Sequence, residues 1–255
     1  MKAGRQLLWL AASLAVAACV VALWQMIADA RLVSPVFLPG PNRAWAALID
    51  GFSRGDLLHK LVGTVERMIY GWLLASLLGI ALGAVIGMSK AAQAYLTPML
   101  ELIRPLPASA IIPVAISFFG LSDGMVLVVI GFGALWPMLL STIHGFTAVE
   151  PRLYEVSRML GLSRFEVVRK IALPSAMPDI LAGARVGITI ALILAVVGEM
   201  LASREGLGQW ILVSARSFRS ADVFAGVMLL GVIGLVSGGL LASLEHRLLR
   251  WRTRG

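Results

Sequence analysis

At 255 residues, 59% of them hydrophobic and 14% charged, with a mean hydropathy of +0.88, the chain carries more apolar surface than a water-soluble domain of this size can hide. Its net charge of +8 comes without any visible nucleic-acid-binding module, so the basic excess reports membrane topology and anionic lipid headgroups. A single cysteine, Cys19, excludes a disulfide framework within the chain and a cysteine metal cluster.

The fold class expected is all-α, a polytopic membrane protein with about six transmembrane helices, each long enough for a hydrocarbon core of about 30 Å. The first apolar run covers residues 7–27. A signal peptide is the alternative reading there, since Lys2 and Arg5 precede it and Ala28-Asp29-Ala30 has a small-x-small form. The run exceeds the roughly 7–15 residues of a signal peptide's apolar region, which favours a retained span. An extracytoplasmic segment follows at 28–64, where Pro39 and Pro41 precede Trp45, Leu48, Ile49 and Phe52 at helical spacing and predict a short surface helix. The second span is 65–88. Gly79, Gly83 and Gly87 make consecutive small-xxx-small steps along it, and Gly234 with Gly238 make another near the C-terminus, so close helix approach is expected at both.

Between 95 and 120 the apolar pattern is interrupted by Glu101, Arg104, Pro105, Pro107 and Pro113. Such residues are costly against lipid and are tolerated beside protein or water, so this reads as a broken span next to a cavity. Arg104, with backbone freed around Pro107, is a candidate for meeting an anion. The competing readings are pairing with Glu101 on the same helix face or snorkelling to the interface. A fourth span is expected at 124–146.

Next comes a polar island, 147–182. Pro151 suits the first turn of a helix, Leu153, Val156 and Leu160 form an apolar stripe, and Gly161 is placed to end the helix in a left-handed conformation. Ser163 and Glu166 have capping-box spacing, predicting a second helix from Arg164 to about Ala172, with Pro174 and Pro178 ending it and re-aiming the chain. The last two spans are 183–202 and 223–244. Glu199 lies near the end of the fifth, as a brace for a gate or partner contact or as a capped carboxylate, and Gly206-Leu207-Gly208 follows as a tight turn.

Counting Lys and Arg near the spans favours an inside N-terminus. Lys2, Arg5, Lys90, Arg152, Arg158, Arg164, Arg169, Lys170, Arg185, Arg247, Arg250, Arg252 and Arg254 then face one side. Arg31, Arg43, Arg54, Lys60, Arg67, Arg204, Arg216 and Arg219 face the other. Six crossings put both termini and the polar island on the cytoplasmic side.

The order Glu155-Val156-Ser157, Gly161, Ile171, Leu173-Pro174 resembles the EAA loop of inner-membrane permease subunits of binding-protein-dependent ABC importers, with Val156 and Ser157 where the family pattern has alanines. The resemblance extends from Leu38-Pro39-Gly40-Pro41 through Arg104-Pro105-Leu106-Pro107 and Gly206-Leu207-Gly208 to the basic tail, and is closest to the nitrate, sulfonate and taurine branch. It implies a type I importer permease in the bacterial inner membrane, a single transmembrane permease domain over 1–255. Leu153, Glu155, Val156, Ser157, Leu160, Gly161, Ile171 and Pro174 would then couple it to a cytoplasmic ABC ATPase dimer. It implies too that ATP and Mg are bound by that partner, that a periplasmic binding protein delivers a small anion and touches Gly206 and Gly208, and that a second permease copy completes a homodimer. No P-loop surrounds Lys2, Lys60, Lys90 or Lys170, which fits a separate ATPase. The alternatives are an ion-coupled carrier, weakened by the scarcity of intramembrane carboxylates, and an intramembrane enzyme, weakened by three scattered histidines and the lack of a Gly-x-Ser-x-Gly elbow. No metal site and no nucleic-acid partner are expected.

Overall fold

A computed structural model describes residues 2–249, with the side chains of 2–7 and 10 excepted. The basic residues Arg250, Arg252 and Arg254 invoked by the charge argument lie outside the described residues. The described chain is helical throughout: α1 (Lys2–Asp29), α2 (Pro41–Ser53), α3 (Asp56–Met88), α4 (Lys90–Ile103), α5 (Ala108–Phe119), α6 (Asp123–Thr147), α7 (Pro151–Met159), α8 (Arg164–Val167), a π-helical turn (Val168–Ala172), α9 (Leu173–Ala202), α10 (Leu207–Arg216) and α11 (Ser220–Leu248). Five helical stretches are long and apolar enough to cross a membrane, and α4 with α5, bent by 89°, form a sixth candidate.

The chain divides into two compact units, one of residues up to Lys60 with Trp210–Leu230, the other of Leu61–Gln209 with the segment from Gly231 onward. In the first, Trp24 donates to the Pro39 carbonyl at 3.0 Å and its ring lies 5.3 Å from that of Phe224. The expected surface helix is present as α2. Its buried contacts are made by Ala44, and by Gly51 against Leu57, while Trp45 and Ile49 of the apolar stripe stay exposed.

The second unit is organised by glycines. A Cβ at Gly71, Gly79, Gly83 or Gly87 of α3 would fall 2.5 to 2.7 Å from Ile130, Met138, Thr142 or Phe146 of α6. The residue numbers on both helices rise together by equal steps, so α3 and α6 run parallel. The small-xxx-small stripe of α3 is therefore consumed within the chain, whereas Gly238 on α11 faces open space. Helix α9 packs antiparallel on α6: Gly198 meets Val126, Gly183 meets Pro137, and Gly145 meets Ala176. Trp72 adds a hydrogen bond from α3 to the Ala184 carbonyl of α9 at 3.0 Å.

Because α3 and α6 are parallel, the chain must return along the bundle between Met88 and Asp123. Helices α4 and α5 make that return in two pieces, with the break at the prolines where the sequence predicts one. Spans also begin earlier than hydropathy placed them. Helix α3 starts at Asp56 rather than 65, so the expected 28–64 segment ends inside a helix.

One expectation is overturned. Pro174 and Pro178 do not end a helix; α8, the π turn and α9 form one 39-residue stretch, Arg164–Ala202. A proline ring clashes with the carbonyl four residues back in regular α-helix. Here the ladder widens just before Pro174, with the Leu173 N–H bonding the Val168 carbonyl five residues back, so the ring is accommodated without a break.

Candidate functional site

The sequence-predicted site residues fall into three places, the first being the segment from α7 to the start of α9. Helix α7 begins at Pro151, as its φ restriction favours. It ends in a Schellman motif: Gly161 takes φ +62°, its N–H bonds the Arg158 carbonyl at 3.1 Å, and the Leu162 N–H bonds the Ser157 carbonyl at 3.0 Å. Two residues later the capping box forms as the spacing predicted. Ser163 Oγ accepts from the Glu166 N–H, and Glu166 Oε2 accepts from the Ser163 N–H at 3.0 Å. Lys170 Nζ adds a 2.8 Å contact to Glu166 Oε1.

The packing of α7 inverts the usual amphipathic arrangement. Its face toward the protein is carried by Ser157, 2% exposed, and half-buried Tyr154. Burial raises the Tyr154 phenol above its ordinary pKa. The apolar stripe instead points outward: Leu153 and Val156 are exposed, Leu160 is 68% exposed, and Met159 beside them reaches 87%. Glu155 is exposed as well. Ile171 and half-buried Pro174 lie on the other side of the segment, Ile171 packing with Tyr154, Val168 and Leu173 against a buried cluster that includes Phe146, Ala172 and Ala176. A groove of about 950 Å³ runs between α7 and the corner joining α3 to α4, lined by Lys90, Tyr154, Arg158 and Arg164 among others.

The second place is the bend between α4 and α5. Arg104 caps α4, its N–H on the Leu100 carbonyl, and both Arg104 and Pro107 are exposed. Among the described residues no ion pair joins Arg104 to Glu101, so the same-face pairing considered from sequence does not form.

The third is the opposite end of the α3–α6–α9 core. Glu199 is 0% exposed and fully engaged, accepting from Arg67 Nη1 at 3.0 Å, Thr64 Oγ1 at 3.0 Å and the Gly208 N–H at 2.9 Å. Thr64 Oγ1 in turn accepts from the Leu207 N–H at 2.9 Å. Gly206 and Gly208 are buried beside this carboxylate: a Cβ on Gly206 would lie 2.3 Å from it, and one on Gly208 2.3 Å from the Val196 carbonyl. Ser203, at φ +51°, ends α9 and turns the chain so that Arg204 pairs with Asp123 through Nη2 at 2.6 Å and Nε at 3.1 Å. Arg67 Nε reaches the same Asp123 at 2.8 Å. Sequence reading thus named Glu199, Gly206 and Gly208 but not Thr64, Arg67, Asp123 or Arg204 as their company. The available signal was the set of opposite charges at the same ends of three spans, where burial demands partners.

The arrangement holds no group of His, Cys, Asp and Glu suited to a metal ion among the described residues.

Over residues 75–255 the chain matches the family described as binding-protein-dependent transport system inner membrane component. It is 33% identical over 236 residues to the aliphatic sulfonates transport permease protein SsuC of Bacillus subtilis (strain 168), spanning 92% of this chain and 85% of that one. To the taurine transport system permease protein TauC of Escherichia coli (strain K12) it is 30% identical over 245 residues, spanning 94% and 89%. A chain of the inward-facing MetNI methionine ABC transporter shares its fold, with a TM-score of 0.66 over 75% of this chain and 95% of that one at 16% identity.

Proposed function

The chain belongs to the family of inner membrane components of binding-protein-dependent transport systems, and from that premise we propose that it is the permease of an importer for a small sulfonate-, taurine- or nitrate-like anion. It is a multi-pass transport subunit that works with an ATPase and a binding protein, not an enzyme. The anion class is supported by the sulfonate and taurine relatives, and by a nitrate import permease protein of Leptolyngbya laminosa that is 27% identical over 230 residues. ATP and Mg belong to the partner ATPase, two permease copies face each other, and both termini lie in the cytoplasm.

The observation that carries the coupling role is the outward apolar stripe of α7. Met159, Leu160 and Val156 are exposed on a helix whose buried contacts are made by a serine and a tyrosine. Burying such side chains in a groove of the ATPase would contribute about 1.5–3 kcal/mol each for full burial, the helix-in-groove mode of recognition. Glu155 adds a charge at the rim, Gly161 sets the direction in which the chain leaves α7, and Ile171 with Pro174 ties the docked helix to α9. Closure of two ATPases would then move two α7 helices and switch the passage between inward and outward access, a rigid-body transition between packed states.

The test is ATP hydrolysis in proteoliposomes containing the permease and its ATPase, stimulated by the binding protein loaded with taurine, an alkanesulfonate or nitrate. Glu155→Lys and Gly161→Pro, inserted at wild-type levels, are expected to lose the stimulation. Full stimulation in both variants would remove α7 from the coupling path.

A further inference from the structure

The two ends of the α3–α6–α9 core are built differently. Beside α7 apolar side chains lie exposed and a groove of about 950 Å³ opens toward the α3–α4 corner. At the far end four charged side chains interlock, and Arg67 is the one that touches both carboxylates. Its Nε meets Asp123 of α6 at 2.8 Å, and its Nη1 meets Glu199 of α9 at 3.0 Å and the Glu205 carbonyl of the following turn at 2.8 Å. Arg204 closes the set through Asp123. Two cations and two carboxylates balance, and every oxygen of the buried Glu199 has a donor.

We propose that Arg67 is a positioning residue of the transport cycle: one guanidinium holding Asp123 and Glu199 makes the far ends of α3, α6 and α9 a single body, so displacement of α7 moves the whole core instead of bending α9 alone. The inference rests on the coupling role given above to α7. The 39 residues from Arg164 to Ala202 form a lever of roughly 58 Å at helical rise. Its start contains the π turn, the place where the helix can yield. A lever transmits motion only if its far end is held. Glycine contacts fix the helices laterally, and Arg67 of α3 binds both α6 and α9 through charge. The planar fork of arginine suits three acceptors in fixed directions, which a lysine ammonium reproduces in charge but not in geometry.

The experiment uses wild-type permease reconstituted with its ATPase and binding protein, and reads anion taken up per ATP hydrolysed. The anion is whichever of taurine, an alkanesulfonate or nitrate the wild type imports. In Arg67→Met, stimulated hydrolysis is expected to persist while uptake falls about tenfold, equivalent to ~1.4 kcal/mol of lost coupling. Arg67→Lys should fall between, and should carry the test if Arg67→Met fails to assemble. Adding Glu199→Gln to Arg67→Met should restore the melting temperature, by removing the uncompensated buried charge, without restoring the uptake-to-hydrolysis ratio. A ratio that stays at the wild-type value, with uptake and hydrolysis falling together, would overturn the inference and leave Arg67 a stabilising residue. Full stimulation in Glu155→Lys would fail the coupling role instead, so the two failures are distinct.

Discussion

A methyl group added at Gly206 has nowhere to go, because its Cβ would sit 2.3 Å from a carboxylate that already has its donors in place. Gly206→Ala is therefore expected to lower stability by about 1–3 kcal/mol, the usual cost of overpacking, read as a lower melting temperature in detergent. Gly238→Ala is the matched control, since a Cβ there meets open space inside α11, and it should leave the melting temperature unchanged or slightly raised, by the usual helix preference for Ala over Gly of about 0.5–1 kcal/mol. From sequence the Gly206-Leu207-Gly208 motif reads as a turn needing glycine for its backbone. The structure gives a different reason, in that the glycines admit Glu199 and the Val196 carbonyl, which the end of α9 folds back onto the turn. Arg67 shows the same limit from the other side. Its charge and its place near the end of a span are legible in the sequence, but its partners are 56 and 132 residues away.

At the level of elements, local rules sufficed where the signals were local. The Schellman end of α7 and the capping box of α8 both involve residues within six positions of each other, and both formed as the spacing predicted. Ser163→Ala should remove the hydroxyl cap from the Glu166 N–H at a cost of about 1 kcal/mol. Faster amide hydrogen exchange across 164–170, with α9 beyond Ala176 unchanged, would be the signature. The local rules failed at Pro174, where proline punctuation predicted a stop and the chain continued as helix through a π turn. Tertiary packing explains the outcome: Ala172 and Ala176 are both buried in the core cluster shared with Phe146 and Val149. Keeping the helix intact buries the face that carries Ala172 and Ala176, which offsets the strained hydrogen-bond geometry of five residues.

For the whole molecule, the proposed topology of six crossings puts both termini on one side, so reporter fusions at residue 1 and residue 255 are expected to report the cytoplasm; opposite reports from the two would overturn it. A reporter inserted after Arg54, in the short turn before α3, should report the opposite side. Native mass spectrometry of the purified complex should give two permeases with two ATPases; a single permease per ATPase pair would remove the homodimer. Composition and local pattern were enough for the membrane class, for five of the apolar spans, for the break between α4 and α5 and for the local form of the α7–α8 segment. All of these rest on composition, on periodicity or on contacts between near neighbours in the chain. The parallel run of α3 and α6, the outward face of the α7 stripe and the network of Glu199, Arg67, Asp123 and Arg204 come from long-range packing. Each of those depends on which distant segment fills the space beside a glycine or answers a buried charge, and that is settled by packing the whole chain at once.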